Sequence, residues 1–188
     1  MFFYVIFVCF LISTVQVEAK SKIKIPSWED CGGRDAIIKV HKIDLDNPIR
    51  IGREDPIRIS VNATQATPIS GDSVVTIKIN KNLRVLGQNL PIWVPCLNGI
   101  GSCTMTLCEI FKIHRKLVCA ILESANQECK CPSEPGDYVA NVNYQLNFGL
   151  FPPALLAIGN GDYSMSMKIN HEDKELACMK VNVGVKFV

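Results

Sequence analysis

A chain of 188 residues with 48% hydrophobic residues and a formal net charge of +2 is long enough to bury a full core and too weakly basic to suggest a nucleic-acid partner. It holds no G-x-S-x-G, no H-E-x-x-H and no complete phosphate loop, and its three histidines have no motif around them. Motifs of this kind therefore give no pointer to an enzyme, a cofactor or a resident metal.

Residues 1–19 read MFFYVIFVCFLISTVQVEA. They are almost wholly apolar from Phe2 to Ile12 and end on Val17-Glu18-Ala19, with small residues at the minus-three and minus-one positions of a cleavage site. That is the pattern of a secretory signal. The run is too short for a bilayer span, and no later segment reaches about 18 apolar residues. The expectation is a secreted or lumenal mature chain over residues 20–188, forming one domain.

After a short basic tail, Ser27-Trp28-Glu29-Asp30-Cys31 opens that chain. A mixed apolar run over 36–45 predicts a strand, and 48–56 reads as a connection. Ile57, Ile59 and Val61 alternate with Arg58, Ser60 and Asn62, the period of a half-buried strand. Asn62 heads the sequon Asn62-Ala63-Thr64 and falls on the polar face, where a glycan would stand. Pro68-Ile69-Ser70-Gly71-Asp72 is a turn. Val75, Ile77 and Ile79 then alternate with Thr76, Lys78 and Asn80, and the short apolar stretch 90–94 carries Trp93. Between 104 and 118 the alternation stops. Met105, Cys108 and Phe111 recur every three residues, as do Leu107, Ile110 and Ile113, which predicts one helix of about three turns. The link over 119–135 reads as irregular.

The clearest strand places Tyr138, Ala140, Val142, Tyr144, Leu146 and Phe148 on one face. Gly161-Asp162 turns into another, with Tyr163, Met165, Met167 and Ile169 aligned. After His171-Glu172-Asp173-Lys174, the residues Ala177, Met179, Val181, Val183, Val185 and Phe187 share a face of the last strand. About seven strands and one short helix argue for a mostly β fold, an antiparallel immunoglobulin-like sandwich or cup.

Six of the nine cysteines fall within 96–131: Cys96, Cys103, Cys108, Cys119, Cys129 and Cys131. Cys31 and Cys178 lie far off, and Cys9 is in the leader. Without Cys9 the count is even, as four disulfides require, although counting does not assign the pairs. Cys129-Lys130-Cys131 with nearby thiols could instead hold zinc. The spacings do not repeat as paired C-x2-4-C units, and a secretory leader implies an oxidising compartment where thiols pair.

The stretch 149–160 is unusual for a connection. Two prolines, Pro152 and Pro153, stop it from continuing a ladder. It carries Leu150, Phe151, Leu155, Leu156 and Ile158 and no charge, whereas connections normally run over the surface. Two readings stand: a loop folded down to cap the core, or an exposed apolar lip that touches membrane reversibly. The basic run Lys112, His114, Arg115 and Lys116 is likewise either a solvated helix face or a patch that attracts anionic lipid.

Several blocks resemble the ganglioside GM2 activator, within the ML lipid-recognition superfamily. They are Ile92-Trp93-Val94-Pro95-Cys96, Ile100-Gly101-Ser102-Cys103-Thr104, and Cys129-Lys130-Cys131-Pro132 with Gly136-Asp137-Tyr138. Ser27-Trp28 ahead of Cys31 and Leu176-Ala177-Cys178-Met179-Lys180 fit the same pattern. The resemblance implies a β cup with a large apolar cavity. It implies a non-enzymatic cofactor that lifts a glycosphingolipid from a membrane and presents it to a lysosomal glycosidase of β-hexosaminidase type. It also implies the pairs Cys31 with Cys178, Cys96 with Cys103, Cys108 with Cys131, and Cys119 with Cys129. A secreted superfamily carrier or sensor, taking a sterol, a phospholipid or a lipid A-like ligand without an enzyme partner, is the alternative.

Physically, such a protein must offset the exposure of an acyl chain to water, on the order of 12 kcal/mol at about 0.8 kcal/mol per CH2. A sheet with one apolar face does so if it stays open. The residues expected to line such a cavity are Val75, Ile77, Trp93, Tyr144, Leu146, Met165, Met167 and Val181. Ordinary core packing is the competing role for each.

Overall fold

The computed structural model describes residues 27–52, 56–146, 149 and 151–188. The leader expected over 1–19 lies outside them, as do Phe148 and Leu150. Period-two segments become the strands of two sheets, antiparallel apart from one short edge strand. The small sheet runs β2 (Ile38–Leu45), β4 (Pro56–Gln65), β8 (Gly136–Gln145). The large sheet runs β1 (Ser27–Asp30), β10 (Lys174–Phe187), β9 (Gly161–His171), β5 (Val74–Val85), β6 (Gln88–Trp93). Two short strands extend it: β3 (Ile49–Ile51) beside β10 and β7 (Thr104–Thr106) beside β5. This is a mostly β, immunoglobulin-like sandwich.

Three strands lie where alternation gave no sign of one. β1 and β7 are too short to show a period. β3 sits inside the expected connection 48–56 and pairs in parallel with the end of β10, Ile49 opposite Val185.

The helical stretch also differs from expectation. Residues 104–106 pair with β5 instead of starting a helix. Thr106 then caps α1 (Leu107–Ile113): its hydroxyl accepts from the Glu109 N–H, and the Glu109 carboxylate accepts from the Thr106 N–H. This reciprocal capping fixes the start. The chain breaks at His114, whose Nε2 is 3.0 Å from the Gly99 carbonyl, and continues as α2 (Arg115–Ser124). The link expected to be irregular is thus helical to Ser124, because α2 buries Leu122 and lies along the free edge of β8. There the Asn141 N–H donates to Ser124 Oγ at 3.0 Å.

The sheets meet at one end. Val75, Ile169 and Ala177 form a buried cluster, covered by Ile38 from the small sheet and by Leu107 and Ile110 from α1. Asp30 joins the sheets, accepting from the Val40 N–H of β2 and the Gly32 N–H, both at 2.8 Å. Gln65 is buried there with its amide satisfied by the Thr67 and Ser133 carbonyls and the Ser133 hydroxyl. The disulfides are Cys31–Cys178, Cys96–Cys103, Cys108–Cys131 and Cys119–Cys129. Cys31–Cys178 spans 147 residues, a loop that the chain-entropy picture values at about 5 kcal/mol. Sγ of Cys119 and Cys129 lie near the Glu123 carboxylate, but two sulfurs bonded to each other offer a metal no thiolates.

Candidate functional site

Strand register sorts the large sheet into two faces. On the outer face Lys78, Asn80, Ser164, Ser166, Lys180 and Asn182 line a shallow polar groove of about 380 Å³, a poor place for an alkyl chain. The inner face is apolar and ordered in rows. Val75, Ile169 and Ala177 form the first, at the packed end. Ile77, Met167 and Met179 form the second, and Ile79, Met165 and Val181 the third, with Trp28 beyond Val181. Lys81, Tyr163 and Val183 form the fourth, with Ile92 beside Lys81.

Accessibility changes along these rows. The first is buried throughout, Val75 at 1%. In the later rows Ile77, Ile79, Met165, Met167, Met179 and Val183 stay partly accessible, although they face the other sheet. At the edge, Leu90 and Ile92 of β6 are exposed outright. The opposing face of the small sheet carries Ile57, Ile59, Val61, Ala140, Val142 and Tyr144. Apolar side chains that face each other across a sandwich normally interdigitate at crystal-like density. Here the first row is fully packed, while beyond it buried Val181 and, on the opposing sheet, buried Ile57, 4% exposed each, stand among side chains that keep accessible surface.

The expected lining residues divide accordingly. Met165 and Val181 stand in the third row, Ile77 and Met167 in the second, where both touch the packed cluster. Val75 belongs to that packed end, because Ile38, Leu107 and Ile110 cover it. Tyr144 faces inward opposite Ile57. Leu146 lies just past β8, where its carbonyl accepts from the Gly52 N–H at 3.0 Å. Trp93 is elsewhere: it pairs with Asn80 on the outer face and is 60% exposed, because β6 starts after a two-residue turn that sets the parity of its side chains. Asn62 is on the outer face of β4, opposite Lys42 and Val139.

The stretch 149–160 sits at the loose end. Pro153–Leu156 forms one helical turn, α3. Leu155 is 5% exposed, pointing inward, while Phe151, Leu156 and Ile158 are half-buried. Three hydrogen bonds hold the stretch down: Lys81 Nζ to the Ile158 carbonyl and Tyr163 OH to the Gly159 carbonyl, both 2.5 Å, and the Phe187 N–H to Asn160 Oδ1, 2.6 Å. Burial pushes the Tyr163 phenol above its ordinary pKa.

Among the described residues, the most exposed apolar group was not evident in the sequence. It is the β5–β6 hairpin, whose turn residues Leu86 and Gly87 have φ of 50° and 82°, as a two-residue turn of the I′ kind requires. Leu86 at its tip is fully exposed, flanked by exposed Val85, Leu90, Ile92 and Trp93. The Leu-Gly pair between two apolar strands was the available signal. Among the described residues, no helix is long and apolar enough to cross a membrane.

The ML domain family model matches residues 26–185, a span that takes in both sheets up to the last two residues of β10 and all eight paired cysteines. No curated protein matches the chain. ML domains are generally lipid-binding and generally not enzymes, and a match of this extent means that the chain belongs to the ML domain family.

Proposed function

We infer that this protein lifts a lipid from a membrane by its alkyl chains and holds them between the inner faces of its two sheets, beyond the packed row of Val75, Ile169 and Ala177. The observation that carries this reading is the loosening of the inner rows: Ile79, Met165 and Met179 are apolar, face the opposite sheet and keep accessible surface. Methionines suit such a role, because their flexible thioethers adapt to irregular chains.

Membrane contact falls to the β5–β6 hairpin together with the half-buried Phe151, Leu156 and Ile158 of the neighbouring stretch. A leucine at positive φ costs roughly 1–2 kcal/mol relative to an ordinary conformation, and Leu86 adds full exposure to that. Neither helps a folded protein in water; both are repaid where the tip enters lipid. Half-burying Leu86, Leu90, Ile92 and Trp93 would contribute roughly 3–6 kcal/mol gross, enough for reversible attachment. The four disulfides and the ML fold are consistent with a secreted protein.

The cysteine blocks that resemble the ganglioside GM2 activator favour a glycosphingolipid as cargo, presented to a lysosomal glycosidase with this protein as a non-enzymatic activator. Native mass spectrometry of the protein after incubation with mixed vesicles tests the reading. A sphingolipid retained in equimolar amount, together with faster glycosidase turnover of that lipid, supports it. Retention of a sterol or phospholipid with no effect on the glycosidase would favour the carrier or sensor alternative. Failure to retain any lipid sinks both.

A further inference from the structure

We propose that Lys81 is a docking point for an oxyanion on the lipid headgroup, a phosphate, sulfate or carboxylate held at the open end of the sheets. The proposal rests on the lipid-holding reading above. Two charged side chains occupy the inner face of the large sheet among the described residues, Asp30 and Lys81. Asp30 already accepts two backbone N–H groups. Lys81 stands in the fourth row between Tyr163 and Ile92, and its ammonium has one partner among the described residues, the Ile158 carbonyl. No carboxylate among the described residues pairs with it.

An ammonium offers three donors, so this contact leaves two of them and a full charge unbalanced, next to a third row, Ile79, Met165 and Val181, that is wholly apolar. A lysine there is costly to bury alone and becomes favourable when an anion reaches it. Charge-assisted bonds to an oxyanion are about twice as strong as a bond to a neutral carbonyl. The Tyr163 hydroxyl lies on the same row and reaches the next carbonyl, Gly159, so it stands as a second polar group at the same place. The chain around the amine is arranged to let it through: Gly159 and Gly161 are both at positive φ, and a Cβ at Gly161 would come within 2.9 Å of Lys81 Cε. Alkyl chains lying along the second and third rows would bring their headgroup to this fourth row, at the end away from the packed cluster.

The test compares two lipids with identical acyl chains, phosphatidate and diacylglycerol, each offered in phosphatidylcholine vesicles. Bound lipid is measured by mass spectrometry after the protein is separated from the vesicles. Wild type should retain phosphatidate over diacylglycerol by roughly tenfold, the scale of one charge-assisted contact. Lys81→Met should lose that preference while keeping its diacylglycerol load, and Lys81→Arg should keep the preference. The diacylglycerol load shows that the variant is folded, and a merely structural lysine would leave the preference unchanged. Wild type that holds both lipids equally, or a Lys81→Met protein that still prefers phosphatidate, overturns the assignment and leaves the lipid-holding reading standing. No retention of either lipid overturns the assignment, and the mixed-vesicle experiment above decides the lipid-holding reading separately.

Discussion

The ring of Phe151 stands edge-on to that of Phe187, with centroids 6.1 Å apart and planes at 83°. One belongs to the apolar stretch over the loose end of the sheets, the other to the last residue of β10. Together with the Lys81, Tyr163 and Phe187 hydrogen bonds, this contact holds the stretch against the large sheet. Such a pair contributes about 0.5–1.5 kcal/mol beyond its buried area, small enough to be broken and remade as a lipid passes.

Phe151→Ala should therefore lower global stability modestly, by about 1–2 kcal/mol given the half-buried ring. It should speed exchange of a fluorescent lipid between protein and vesicles by more than it alters equilibrium loading. An unchanged exchange rate would mean that 149–160 does not gate entry.

The two ends of the inner face should respond differently to truncation. Val75→Ala removes two methyls from a filled site and should cost about 1–3 kcal/mol in chemical denaturation. Met165→Ala removes more atoms but should cost less than about 1 kcal/mol, because a side chain without full contacts loses little. Equal or larger destabilisation at Met165 would show the third row to be as tightly packed as the first.

At the hairpin tip, stability and membrane binding should move in opposite directions. Asn tolerates positive φ far better than Leu, so Leu86→Asn should stabilise the fold by about 1 kcal/mol. The same change should weaken vesicle co-sedimentation by severalfold, since it removes a fully exposed apolar side chain. A variant that gains stability and binds vesicles as wild type does would exclude the tip from membrane contact.

Acid should destabilise the protein only below the ordinary carboxylate range. The Lys168 ammonium, donating at 2.6 Å, and then the Gly33 N–H hold the Glu175 carboxyl below its usual pKa. The Arg58 backbone N–H and then its guanidinium do the same for Asp46. A carboxylate depressed in the folded state adds stability that is complete above its unfolded value, near 4. That stability is lost as pH falls through the lower folded value. The melting temperature should stay flat from pH 7 to about 5 and fall below about 4, with a shallower fall in Glu175→Gln. Thermal scans across that range check this, and a steep loss already between pH 7 and 5 would contradict it.

Much of the fold was legible because a strand buried on one face writes its period into the chain. Ile57-Ile59-Val61, Val142-Tyr144, Met165-Met167 and Val181-Val183 mark β4, β8, β9 and β10 with no structural information. Legibility failed where stability comes from partners distant in sequence. β1 and β3 exist because β10 pairs with them, and β7 because β5 does. The helix starts at Leu107 because Thr104–Thr106 is taken up by the large sheet. The side chains of 149–160 gave no sign of which would turn inward, since that depends on Phe187, Lys81 and Tyr163 on other strands.

The sequence by itself determined which residues alternate, which cysteines are available to pair and that the chain builds β sheets, because these follow from local periodicity and from covalent chemistry. Only the tertiary structure decided that Val75 is packed and Met165 is not, that Trp93 faces outward, that Leu86 stands fully exposed at a tip, and that Lys81 lies on a largely apolar face. The reason is physical: alternation specifies two faces, but the distance between sheets and the register of each hairpin specify what those faces meet.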